Sequence, residues 1–274
     1  MAETFIHPTA VVDPEAQLGV GVNVGPYAIL GPHVQIGDRV TIHPHALVDG
    51  HTQIGVEAQI FPFAAVGLRP QDLKYDGSPT KLLIGDRTVI REFTTLQPGT
   101  LGRGTGVTKI GDDCLIMAYC HVAHDCEVGN RVIMVNASQL GGHVIVEDFV
   151  TLGGVTTVHQ FTRIGTRAIT GASTRVVMDV PPYTTADGHP AQLHGLNTVG
   201  LKRAGIAEPT RRALKRAYRA LFREDRYKEA LPELEQTLAK EFPEVDHLCQ
   251  FLRASTRGVT RAPRKGGAAE DAED

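Results

Sequence analysis

The chain has 274 residues, 42% of them hydrophobic and 22% charged, with a formal net charge of −3. This balance fits a soluble globular protein with one large domain, or one domain and an appendage, and excludes a chain whose bulk charge would bind nucleic acid. Aromatics make up only 5%, Trp is absent and there are 29 glycines, so the core is expected in thin aliphatic layers. The first residues, MAETFIHPTA, show no basic segment leading into an apolar run, and no stretch reaches the roughly 18 apolar residues of a spanning helix. With four cysteines and no secretion signal, the expectation is a cytoplasmic protein with reduced thiols and no stable membrane insertion.

From Leu18, a step of six residues meets Val24, Leu30, Ile36, Ile42, Val48, Ile54, Ile60 and Val66, all aliphatic. The step resumes at Ile84, Ile90 and Leu96. It then runs from Ile110 through Ile116, Val122, Val128, Met134, Leu140, Val146, Leu152, Val158 and Ile164 to Thr170, its one polar member, and Val176. A small or medium residue stands two positions before each (Ala16, Val22, Ala28, Val34, Val40, Ala46), and glycine often follows. Residues two apart on a strand face the same side, so both members of each pair point inward, and glycine is expected to permit the turn. Three hexapeptides close one triangular coil, and coils stack about 4.8 Å apart as parallel strands. No helical period gives this spacing. The pattern resembles the hexapeptide-repeat family, whose fold is an all-β left-handed parallel β-helix; the handedness is implied by the family and not by the period.

Two stretches interrupt the repeat, 68–81 (LRPQDLKYDGSPTK) and 98–109 (PGTLGRGTGVTK). Loops of this length in a compact domain are usually functional or disordered. Glycines 99, 102, 104 and 106 suggest a phosphate loop, but no G-x-x-x-x-G-K-[ST] is present, so that reading is set aside. The repeat ends near VPPY (180–183). Apolar stripes then follow at Leu214, Ala217, Tyr218, Leu221 and Phe222, at Leu231, Leu234 and Leu238, and at Val245, Leu248, Cys249 and Leu252. This predicts a β-helix over 1–190, a small C-terminal α-helical domain over 191–257, and an unpatterned, disordered tail over 258–274.

HVAHDC (121–126) concentrates the chemistry-bearing residues. Cys114, Cys120 and Cys126 fall on inward small-residue positions, so they are expected as buried, inert thiols. His121 is expected to point out of the prism, and His124 to lie near a corner. One coil later His143 lies one step from that column, and two coils later His159 does, which predicts three histidines clustered on one edge. Such a cluster suits either zinc held between subunits, as in the hexapeptide-repeat carbonic anhydrases, or a histidine general base for acyl transfer from an activated thioester. A non-catalytic β-helix scaffold is the third alternative.

HPTAVVDP, LGPHVQIG, QDLKYDGSPT, HVAHDCEVGNR, VHQF, DVPPY, GLKRAG and STRG, in this order and spacing, resemble the UDP-N-acetylglucosamine 3-O-acyltransferases of lipid A biosynthesis over residues 5–257. The resemblance implies transfer of a (3R)-3-hydroxyacyl group from acyl carrier protein to the 3-hydroxyl of UDP-N-acetylglucosamine. No cofactor or metal is implied, because the acyl group arrives on the carrier's phosphopantetheine. His124 then corresponds to the general base, Asp125 to the carboxylate that orients it, and the Gly142 N–H to the oxyanion donor. His121, His143, His159 and Gln160 correspond to sugar-nucleotide and acyl-pocket contacts. Asp72 and Lys74 correspond to substrate contacts reaching toward a neighbouring subunit of a homotrimer. Asn197 and Arg203 correspond to contacts at the nucleotide and pantetheine end, and Ala172 to the residue that sets acyl length. Val199, Ala204 and GHPA (188–191) depart from the family pattern and leave the catalytic pair intact. The basic run from Lys202 to Arg223 suits an acidic carrier. A related N-acyltransferase of the pathway carries an additional N-terminal uridine-binding domain; here the repeat begins by residue 9, which points to the O-acyl branch.

Overall fold

The computed structural model describes residues 3–102, 104–224 and 226–263. From Phe5–Ile6 to Arg175–Val176, strands of two to four residues wind through three parallel sheets. The first face begins at Phe5–Ile6, the second at Val11–Val12 and the third at Gln17–Leu18. The register confirms the coil: Val122 pairs with Leu140 and Leu140 with Val158, a step of 18 residues. The result is a left-handed parallel β-helix.

The hexad residues fill the prism axis. Val24, Ile42, Val48, Ile60, Ile90, Ile116, Val122, Leu152 and Val176 are completely buried. Thr170 is tolerated among them because its hydroxyl accepts from the Gly153 N–H at 2.9 Å and meets the Thr156 hydroxyl at 2.9 Å.

The turns differ from expectation in one respect. The left-handed residue of each corner is seldom glycine; Tyr27, His45, Phe63, Phe93, Tyr119, Asp125 and His143 occupy it, with φ of 58–63°. The glycine that follows the aliphatic position serves another purpose. A Cβ on Gly37 would lie 2.9 Å from the Gly55 carbonyl carbon of the next coil. Close approach between coils, not turn conformation, demands glycine there.

Both interruptions leave the prism at the same edge, between the second and third faces. The first departs after Val66 and returns at Lys81; the second departs after Leu96 and returns at Val107. The next coil turns that same edge at His124–Asp125, so the loops emerge directly below it.

Beyond Val176, Thr184–Asp187 continues the first face in parallel and Gln192–Leu196 pairs with it antiparallel. Five helices follow among the described residues: α1 (Thr198–Arg203), α2 (Glu208–Phe222), α3 (Tyr227–Gln236), α4 (Leu238–Glu241) and α5 (Pro243–Arg253). Leu214, Ala217, Leu221, Leu231, Leu234, Val245, Leu248 and Leu252 form their shared core, as the stripes predict. The tail begins later than the sequence suggests. Val259 bridges Asp179, the Leu193 N–H donates to the Arg261 carbonyl at 2.9 Å, and Thr260 is buried. Backbone pairing thus holds residues 258–261, and residues 264–274 lie outside the described residues.

Candidate active site

His124 and Asp125 are neighbours in sequence, and on a flat strand their side chains would diverge. Asp125 occupies the left-handed corner, with φ of 58°. The turn brings the two together, with Nδ1 of His124 2.9 Å from Oδ2 of Asp125. The Asp125 side chain is fully buried and that of His124 is 16% exposed.

The second interruption wraps the Asp125 carboxylate. Thr100 donates its N–H at 3.0 Å and its hydroxyl at 2.6 Å to Oδ2. Thr105 and Gly106 donate backbone N–H groups to Oδ1 at 2.9 and 3.2 Å. The Asp125 N–H in turn donates to Thr108 Oγ1 at 2.8 Å. Burial pushes the Asp125 pKa upward, but hydrogen bonds from Thr100 and His124 outweigh it and hold the carboxyl below its ordinary range. The glycine-rich stretch is therefore an anion cradle, and its anion is the protein's own carboxylate.

On the opposite side of the imidazole, Nε2 faces Oδ2 of Asp72 at 3.9 Å. The other oxygen of Asp72 accepts from the Lys74 N–H at 2.9 Å, which fixes the carboxylate. Asp72 and Lys74 thus line the cavity of their own chain.

Gly142 lies against the ring. A Cβ there would stand 2.7 Å from Cε1 and Nε2 of His124, so any side chain would displace the imidazole. Its N–H has no acceptor among the described residues. His143, the next residue, packs edge-on to His124 with centroids 5.1 Å apart and stacks on Phe161 at 4.5 Å. Burial lowers the His143 pKa, partly offset by Asp125. His124, His143 and Phe161, with Gln160, Thr100, Leu101, Tyr75 and Leu73, surround a cavity of about 800 Å³. His121 stands just outside, its Nδ1 2.7 Å from Thr95 Oγ1 and its pKa lowered by burial.

Other sequence-selected residues lie elsewhere in the chain. His159 turns away from the expected three-histidine cluster; its Nδ1 is 2.8 Å from a terminal nitrogen of Arg257. Counting coils fixes its backbone but not its ring. Asn197 caps α1, accepting from the Gly200 N–H and donating to the Arg167 carbonyl, both at 3.0 Å. Arg203 is exposed in the last turn of α1. Ala172 is exposed at the corner between the first and second faces, one step before the left-handed Ser173. Cys114, Cys120 and Cys126 are buried, and burial pushes their thiols up to about 11, 11 and 12. Thr100, Thr105 and Phe161 escaped the sequence reading, because nothing in a loop's composition shows which side chain it encloses.

The hexapeptide transferase model matches residues 15–50 and 108–142, and the model described as UDP-N-acetylglucosamine O-acyltransferase, domain 2, matches 179–260. A relative from Alkalilimnicola ehrlichii, an acyl-[acyl-carrier-protein]–UDP-N-acetylglucosamine O-acyltransferase, is 52% identical over 94% of this chain and 100% of its own. The chain belongs to the UDP-N-acetylglucosamine O-acyltransferase family. A relative of the same description from Thiobacillus denitrificans is 49% identical over 93% of this chain and 99% of its own. The UDP-N-acetylglucosamine acyltransferase structure from Francisella novicida superposes with a TM-score of 0.91 at 33% identity, covering 94% of this chain and 95% of the other. That from Campylobacter jejuni gives 0.90 at 37%, covering 94% and 100%. Membership in this family favours acyl transfer over the zinc-lyase and scaffold alternatives. Among the described residues, the metal-ligating atoms that come within 4.8 Å of one another belong to His124, Asp125 and His143, and the Asp125 carboxylate is already surrounded by donors.

Proposed function

We propose that the chain transfers a (3R)-3-hydroxyacyl group from acyl carrier protein to the 3-hydroxyl of UDP-N-acetylglucosamine, the first step of lipid A biosynthesis. The observation that carries the mechanism is the polarised imidazole: Nδ1 is held by a buried carboxylate while Nε2 opens toward the cavity beside Gly142. Nε2 takes the proton of the acceptor hydroxyl as its oxygen bonds to the thioester carbonyl carbon. Asp125 stabilises the imidazolium that forms. The Gly142 N–H donates to the oxyanion, and the lack of any side chain there admits the thioester. The intermediate collapses, the carbon–sulfur bond breaks, and the thiolate leaves with the proton returned by Nε2. The acyl donor brings its own phosphopantetheine, so the chain needs no cofactor of its own.

A homotrimer completes the site. His159, Asn197, Arg203 and Ala172 do not line the His124 cavity of their own chain, whereas a neighbouring copy set against this edge would contribute them. Supporting this, Tyr27, Phe63, Phe93 and Tyr119 stand about half exposed along the edge that also carries Ala172, a surface suited to a protein neighbour. Lys215 and Arg216 on α2 are exposed and make no carboxylate pair among the described residues, which suits them to an acidic carrier. No helix among the described residues is long and apolar enough to cross a membrane.

The test is mass spectrometry of products from UDP-N-acetylglucosamine and its 3-amino analogue with a series of hydroxyacyl carrier proteins. An O-acylated sugar nucleotide is expected. Reaction with the amino analogue alone would overturn the acceptor, and no acylated product with any donor would overturn the activity.

A further inference from the structure

The two oxygens of Asp125 are not equivalent. Oδ1 accepts backbone N–H groups from Thr105 and Gly106. Oδ2, the oxygen that meets His124, also accepts the Thr100 hydroxyl at 2.6 Å. That oxygen is therefore shared by the imidazole and by both donors of Thr100, its hydroxyl and its N–H at 3.0 Å. Thr100 is 5% exposed and is held in place: the Gly106 N–H donates to the Thr100 carbonyl at 3.0 Å, and the Lys81 N–H to the Gly106 carbonyl at 2.9 Å. Gly104 closes the ring, since a Cβ there would run into the Asp125 carboxylate and the Thr100 carbonyl. This loop is a fixed clasp.

We propose that Thr100 is a positioning residue for acyl transfer: its hydroxyl fixes Oδ2 of Asp125 on Nδ1 of His124, and so aims Nε2 at the acceptor. The inference rests on His124 acting as the base with Asp125 as its partner. Two effects follow. Without the hydroxyl, Oδ2 keeps only the Thr100 N–H and the imidazole, so its place on Nδ1 is set less closely, and misaiming a reacting group costs rate without weakening substrate binding. The same carboxylate, no longer sharing its charge with a hydroxyl, stabilises the imidazolium more, so the base keeps its proton to higher pH.

The test compares Thr100→Val, Thr100→Ser and His124→Ala by steady-state kinetics across pH. Thr100→Val should lose kcat by about tenfold with KM for both substrates within about twofold, and its acidic limb should move to higher pH. Thr100→Ser, which keeps the hydroxyl, should restore both. A clasp that only supports the fold would lower the melting temperature and leave the limb in place; that result, or wild-type kcat in folded Thr100→Val, overturns the positioning role while an inactive His124→Ala preserves the base. Turnover surviving in His124→Ala overturns both readings. Should Thr100→Val fail to fold, Gly104→Ala meets the carboxylate and not the imidazole: a fall in kcat at constant KM supports the proposal, and wild-type kcat overturns it.

Discussion

Along the edge between the first and second faces, Tyr27, His45, Phe63, Phe93 and Tyr119 occupy successive left-handed turns, and their rings stack at 5.0–5.1 Å. Along the edge between the second and third faces, the same turn carries Asp125, His143 and Phe161, with φ of 58°, 60° and 64°. The backbone is the same at both edges. At the first, each ring meets the one a coil away, near the 4.8 Å spacing of paired strands, and the edge becomes a continuous apolar surface. At the second, a carboxylate takes the turn position and pulls the preceding histidine onto itself. Both interruption loops return there and enclose the pair. A repeating scaffold thus supplies convergent corners all along its length, and function depends on which residue stands at the turn and which loops cover it.

The largest effect should come from breaking the second edge. His124→Ala should retain the fold, since a corner side chain outside the prism axis contributes little to the core, and lose on the order of 10²–10⁴ in kcat. Asp125→Ala should lose less, because Asp125 aims and stabilises the base without itself taking the proton. Steady-state rates on folded variants check both, and near wild-type turnover in His124→Ala would remove it from the mechanism.

The two edges were unequally legible in the sequence. The prism was readable because its aliphatic residues recur at a fixed step, and a period survives without knowledge of the structure. The pairing of His124 with Asp125 was readable only as a requirement for a corner; the left-handed turn at Asp125 supplies it. His159 follows the column of His124 and His143 only in its backbone, because stacking fixes a Cα column while ring direction depends on Arg257, 98 residues away in sequence. The loop at 98–109 has no period to read. Its glycines suggested a phosphate loop, a reading set aside for want of the lysine motif, and nothing local could say that the loop encloses Asp125.

The aromatic edge yields the next prediction. If it packs against a second copy, Phe93→Ala with Tyr119→Ala removes two of its stacked rings, and each lost aromatic pair is worth about 0.5–1.5 kcal/mol. Light scattering should show the trimer dissociating at higher concentration than in the parent, with activity falling in parallel. An unchanged trimer would place the interface elsewhere, and an active monomer would end the shared-site reading.

A smaller effect is expected on α2. Arg212 pairs with Glu208 at 3.5 Å and Arg219 with Glu224 at 2.9 Å, which leaves Lys215 and Arg216 the clearer choice for carrier contact. Lys215→Glu with Arg216→Glu should lower kcat/KM for the acyl carrier substrate about tenfold at low salt, flatten its salt dependence and leave kcat unchanged. An unchanged kcat/KM would refute docking on this face.

The smallest change joins the two edges. Ala172 lies on the aromatic edge, in the turn before Ser173, while His124 lies on the other. Ala172 does not line the His124 cavity of its own chain; a neighbouring copy would bring its Ala172 to that site if its aromatic edge faces it. Ala172 would then meet the acyl tail from the side, and its size would set how many methylenes fit. Each buried methylene is worth about 0.8 kcal/mol, close to a fourfold preference per carbon, and a clash with a wall costs about 1–3 kcal/mol. Ala172→Met should therefore shift preference to shorter chains, and Ala172→Gly to equal or longer ones, with kcat on the preferred donor little changed. Competition among mixed carrier substrates reads this directly. An identical length profile in all three proteins would mean that Ala172 is only a small residue at a turn, and that the acyl chain runs elsewhere.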